Sequence, residues 1–168
     1  MLHFKIRAFT DGMHISRFHT QRTILTDTVG RHSCGVALLC AELTEDRCSV
    51  SLLKAALLHD LAEYCTGDIP SPMKRHFGAA IGIHENKYLQ SAGLPTMEDL
   101  GLTAEEARVL SIADKLDGLL YCIAEINMGN STMLPIAKKY VSYLNDMNLK
   151  GREALLFMTI QLFSDISL

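Results

Sequence analysis

Apolar positions recur along this chain at helical spacing, and no apolar/polar alternation lasts more than a few residues, so the pattern predicts an all-α fold. Residues 2–17 hold a first helical stretch, followed by the polar loop "HTQRTILTDTVG" and a second helix, "RHSCGVALLCAEL", which is small and apolar on most faces. Ser49 can cap a third helix, "SVSLLKAALLHDLAEY", which ends around Thr66, Gly67 and Pro70. Ser71 and Pro72 have the chemistry of a helix start, opening a fourth helix interrupted at Gly78 and Gly82 on its way to Gly93. Thr103 and Glu106 form a capping-box pattern ahead of a long apolar-periodic helix, and two more helices are expected after Ser131 and after Lys150. With no repeat, linker or low-complexity segment, residues 1–168 read as one helical bundle of six or seven helices.

Composition narrows the class. The chain has 168 residues, is 48% hydrophobic, and has a mean hydropathy of +0.14, enough for one core of ordinary size. A net charge of −3 and a pI near 6.1 leave no footprint for nucleic-acid binding. The five cysteines, Cys34, Cys40, Cys48, Cys65 and Cys122, contain no CxxC pair, which suggests neither a disulfide framework nor a cysteine zinc site and fits a reducing cytoplasm. No apolar run approaches a membrane span, and "MLHFKIRAF" mixes Lys5 and Arg7 into its apolar residues unlike a signal peptide.

Polar residues inside the apolar runs change the picture. His59 and Asp60 are adjacent within the third helix, His32 lies near the start of the second, and Asp114 interrupts "VLSIADKLDGLL". Each has an ordinary explanation alone: a histidine at a helix start, or Asp114 paired with Lys115 or Arg108. Together, four polar groups in three apolar helices need compensation, and one divalent cation accepting two imidazoles and two carboxylates would satisfy them all. Glu63 falls one turn after His59 on the same face, and Asp68 follows the helix-ending Gly67 in a turn that can fold back. One of these carboxylates can orient an attacking water while the other manages the leaving-group proton, in either assignment. His3, His14, His19, His76 and His84 read as ordinary surface histidines, and "HENKY" at His84 is not the HExxH of a zinc protease.

The order H…HD…D resembles the HD-domain metal-dependent phosphohydrolases. "RHS" at residues 31–33, "HDLAEYCTGDIPSPMK" at 59–74 and "ADKLD" at 113–117 are similar to the HD-domain 5'-deoxynucleotidases and the small phage dATP triphosphohydrolases, across roughly residues 16–125. The resemblance implies an all-α domain in which His32, His59, Asp60 and Asp114 hold a divalent ion such as Mn, Co, Zn or Mg. It gives Glu63 and Asp68 the chemistry, Arg17 the nucleotide phosphate, and Phe18 a place beside the sugar. One departure is Arg31, where the family usually has an acidic residue before the first histidine. With Lys74, Arg75, Lys115 and Arg22 it adds local cations, so Arg31, Lys74 and Lys115 are candidate substrate contacts and the expectation leans to a deoxynucleoside triphosphate, plausibly dATP, over a monophosphate. Also expected are a small-molecule deoxynucleotide as the partner, a homo-oligomer, and a cytoplasmic setting, the host's if the chain is phage-encoded. An HD hydrolase acting on cyclic nucleotides or guanosine polyphosphates, and a non-catalytic nucleotide-binding scaffold, remain alternatives. The TGD stretch argues against the first, and the complete set of six polar residues argues against the second.

Overall fold

A computed structural model describes residues 2–163. Its α-helices are α1 (Leu2–Met13), α2 (Val29–Leu43), α3 (Val50–Leu58), α4 (Ser71–Ser91), α5 (Met97–Leu100), α6 (Ala104–Asn127), α7 (Leu134–Asp146) and α8 (Arg152–Leu162), with short 3-10 turns at Leu61–Cys65 and Ser131–Met133. Among the described residues there is no strand, as the periodicity indicated; the one-turn α5, closed by a Thr96–Asp99 capping box, was not foreseen. No described helix is long and apolar enough to cross a membrane.

Helix α6 is the axis of the molecule. Ile112, Ala113, Leu116, Leu119, Cys122, Ile123 and Ile126 are all buried, which on a 3.6-residue period means apolar surface on several sides at once. One side of α6 packs Val109 and Ala113 against Val36, Cys40, Leu52 and Ala56 from α2 and α3, while another packs Leu116 and Leu119 against Met133, Ala137 and Leu144. Truncating a fully buried residue here, as in Leu116→Ala, removes packing worth about 2–5 kcal/mol. The helix starts where the sequence indicated: Thr103 accepts from Glu106 N, the Glu106 side chain returns to Thr103 N at 2.8 Å, and the same carboxylate accepts from Ser49, tying α6 to the start of α3.

Two boundaries differ from the sequence pattern. The run "SVSLLKAALLHDLAEY" does not stay α-helical: α3 ends at Leu58, His59 is its cap, and Asp60 adopts φ −107° and ψ 0° before the chain tightens into the 3-10 turn. Helix propensity favoured continuation, but this break releases His59 and Asp60 from the 100° divergence that neighbours on a regular helix must have. Helix α4 runs without interruption through Gly78 and Gly82, its backbone begins at Ser71, and Pro70 is the capping residue.

Candidate active site

The site forms where α2, the end of α3 and α6 meet. His32 is fully buried on α2, and its Nδ1 lies 2.6 Å from Asp117 Oδ2 on α6. His59 Nδ1 lies 2.9 Å from Ala56 O, one turn back. A carbonyl and an ionised carboxylate only accept, so Nδ1 donates in both rings and each neutral imidazole presents a bare Nε2. Those two nitrogens face each other at 3.2 Å, with Asp114 Oδ1 3.3 Å from His32 Nε2 and Asp60 Oδ2 3.5 Å from both rings. Two lone pairs and two carboxylates converging at this distance repel unless a cation lies among them, and the N2O2 donor set suits a divalent ion. His32, His59 and Asp114 each offer a ligand atom within 4.8 Å of the others.

Charge at the site follows the same logic. Burial alone would raise the Asp114 pKa, but the adjoining His32 ring and the cation of Lys115 hold it well below the usual carboxylate range. Asp60 is also depressed: burial opposes ionisation, and His59 and Lys74 overcome it. Glu63 goes the other way. It is fully buried, its Oε1 accepts from Lys74 Nζ at 2.6 Å, and its Oε2 is buried with no partner among the described residues. Burial, reinforced by the nearby charge of Asp60, pushes its pKa up to about 8, so near neutral pH it is largely a protonated acid.

The turn that closes the site comes from the loop before α2. Gly67, at φ +71°, ends the 3-10 turn and sends the chain back so that Asp68 Oδ2 accepts from Phe18 N at 2.9 Å. Phe18 has φ +55°, costly for a residue with a Cβ by about 1–2 kcal/mol, and is held there by this bond and by stacking on Tyr121 with ring centroids 4.8 Å apart. Arg17 is buried beside it: Nη1 donates to Asp27 Oδ2 at 3.0 Å, while Nε is buried without a partner among the described residues. Burial would lower the Arg17 pKa, but Asp60 raises it further, keeping a firmly charged guanidinium in the field of the donor cluster.

The other expected cations are placed differently. Arg31 is held by Asp27 and by Asp117, the latter through Nη2 at 2.7 Å and Nη1 at 3.3 Å. Lys115 pairs with its neighbour Asp114 and lies 5.4 Å from the Tyr143 ring centroid. Lys74 is on Glu63. His3, His14, His19, His76 and His84 are all exposed, as expected of surface histidines.

An HD-domain family model matches residues 29–119, over half of the chain. The chain belongs to the HD-domain family of phosphohydrolases. The matched part of the HD domain runs from the start of α2 to Leu119 in α6, so it contains His32, His59, Asp60, Asp114, Glu63, Asp68 and Lys74 but neither Arg17 nor Phe18. The "5'-deoxynucleotidase yfbR" of Photorhabdus temperata is 30% identical over 70% of this chain and 71% of its own length. Among solved structures, the HD-domain phosphohydrolase of Listeria innocua superposes with a TM-score of 0.74 at 19% identity, over 94% of this chain and 85% of that one. The HD phosphohydrolase DatZ of cyanophage S-2L, bound to dA and one catalytic Zn2+ ion, does so with a TM-score of 0.70 at 20% identity, over 96% and 95% of the two chains.

Two residues beside the site escaped the sequence pattern. Asp117 orients His32; it closes the "ADKLD" stretch three residues after Asp114 on the same face of α6, but was given no role there. Asp27 is buried and pairs with both Arg17 and Arg31, although in sequence it looks like one more polar residue of a loop. Gly35 makes room for this network, since a Cβ there would overlap Asp117 Oδ1.

Proposed function

We propose that this single-domain protein hydrolyses the 5'-phosphoester of 2'-deoxynucleoside monophosphates with the help of a divalent ion. The carrying observation is the convergence of His32, His59, Asp60 and Asp114 on one point beside a protonated Glu63 and a buried Arg17. These four residues would hold the ion, which when bound neutralises phosphoryl charge and acidifies water. Arg17 binds the phosphate, and Phe18 flanks the sugar. As the water oxygen bonds to phosphorus and the P–O5' bond breaks, Glu63 gives its proton to the 5'-oxygen and recovers one from the attacking water. Asp68 spends an oxygen on Phe18 N, so we assign it to positioning the Arg17–Phe18 turn and not to the chemistry. This names Glu63 as the proton donor, an assignment the sequence left open between the two carboxylates.

The preference for a monophosphate reverses the lean drawn from the sequence, which rested on spare cations. Arg31 and Lys115 already face ionised carboxylates, which leaves Lys74 and Arg17 as the charges nearest the site, fewer than the roughly four negative charges of a triphosphate call for. The name of the P. temperata relative agrees with this reading. Exposed Leu2, Ile6, Phe9 and Met13 along α1 fit the self-association expected of the chain. The test is a panel of deoxynucleoside mono-, di- and triphosphates with Mn, Co, Zn and Mg in turn, the products separated chromatographically. Inorganic phosphate from dAMP, formed faster than any product from dATP, is expected; faster dATP turnover with inorganic triphosphate released would restore the triphosphate reading.

A further inference from the structure

Tyr140 lies on α7, outside the part of the chain matched to the HD domain, and its side chain reaches α6 at Gly118. A Cβ at Gly118 would come within 2.5 Å of Tyr140 Cζ and 2.6 Å of its hydroxyl, so the phenol lies directly across that backbone. Gly118 is four residues after Asp114, on the same face of α6, and the hydroxyl is therefore beside the donor cluster. The charged groups that act on it confirm this location: Arg17 most strongly, then Asp114, with Asp68 further down the order. The ring also packs against the core around Leu116 and Met133, work that a phenylalanine would do equally well. The hydroxyl is what needs explaining: it is not among the fully enclosed unpartnered atoms, so on a part-buried residue it stays within reach of a ligand entering the site.

We propose that Tyr140 is a substrate-binding residue whose hydroxyl donates to a phosphoryl oxygen held between Arg17 and Asp114. The inference rests on the phosphohydrolase reading above and adds to it a ligand from the C-terminal helices. A phosphate is favoured over the sugar because the two strongest charged neighbours of the hydroxyl, Arg17 and Asp114, are the groups assigned to the phosphate side. Burial, together with Asp114 and Asp68, raises the phenol pKa against the opposing effect of Arg17, so the hydroxyl keeps its proton and can donate it to an anionic oxygen. A neutral donor adds affinity for an anion without bringing a further charge into the site.

The test compares wild type with Tyr140→Phe, both loaded with Mn2+, using inorganic phosphate and 2'-deoxyadenosine as separate calorimetric probes. Phosphate should bind roughly 10-fold more weakly to Tyr140→Phe, the size expected for a hydrogen bond to a charged group, while deoxyadenosine binding is unchanged. Gly118→Ala, which displaces the ring without altering the hydroxyl, should weaken phosphate binding in the same direction. Unchanged phosphate affinity in Tyr140→Phe, or a loss confined to deoxyadenosine, would overturn the assignment while leaving the phosphohydrolase reading intact. A wild-type protein that binds neither phosphate nor dAMP with the ion present would overturn both.

Discussion

Asp117→Asn should weaken divalent-ion binding although Asp117 is not one of the four donors. The carboxylate accepts from His32 Nδ1 at 2.6 Å and from Arg31 at 2.7 and 3.3 Å, and is almost fully buried. Asparagine preserves the volume but keeps one acceptor oxygen and no charge, so its amide must set a donor against either the imidazole N–H or the guanidinium. Gly35 is packed against Oδ1, which leaves no room on that side for a water to repair the mismatch. The Arg31 side chain is 44% exposed and can turn to solvent, so the loss falls mainly on His32. One charge-assisted bond is worth about 1.5–3 kcal/mol, matching the roughly 10- to 100-fold affinity loss typical when the orienting partner of a metal-bound histidine is removed. Competition for Zn2+ or Mn2+ with a chromogenic chelator reads the affinity, and urea unfolding of the metal-free protein reads the stability, which should fall by about 2–3 kcal/mol. Wild-type ion affinity in Asp117→Asn would refute the claim that this carboxylate sets the His32 tautomer.

Two further substitutions separate chemistry from binding. Glu63→Gln should keep the ion and lower turnover by roughly 10²-fold, as measured by metal content and kcat on dAMP. Because the folded-state pKa of Glu63 is raised to about 8, the stability contributed by its neutral form is present at low pH and is lost as pH rises through that value. Metal-free wild type should therefore lose stability relative to Glu63→Gln as pH rises from 4.5 to about 8 and level off above it, in urea unfolding across that range. Arg17→Ala should raise KM for dAMP by about 10- to 100-fold and lower kcat much less, since it removes a charge-assisted phosphate contact made before the chemistry begins.

The grouping of His32, His59 and Asp114, with Asp60 beside them, was legible in the sequence because these polar residues interrupt apolar runs whose periodicity marks core helices. Caps were legible for a similar reason, since Ser49 and the Thr103–Glu106 box act within one turn of chain. The break after His59 was not, because propensity favours an unbroken helix and tertiary convergence on the site overrides it. Nor was the fate of the cations. Arg31 meets Asp117 across a separation of 86 residues, and only the α2–α6 packing shows that its charge is already committed. Asp27 and Tyr140 were hidden in the same way, one in a loop and the other on a helix with no recognisable motif.

The most direct test of the site is the metal content and dAMP hydrolysis of Asp60→Ala beside wild type, both purified without chelator and then titrated with Mn2+. Wild type should hold one ion per chain and release inorganic phosphate from dAMP. Asp60→Ala should hold much less than one ion and release none above background. An Asp60→Ala protein with the ion bound and full activity, or a metal-free wild type that hydrolyses dAMP, would contradict the assignment of His32, His59, Asp60 and Asp114 as the centre of this enzyme.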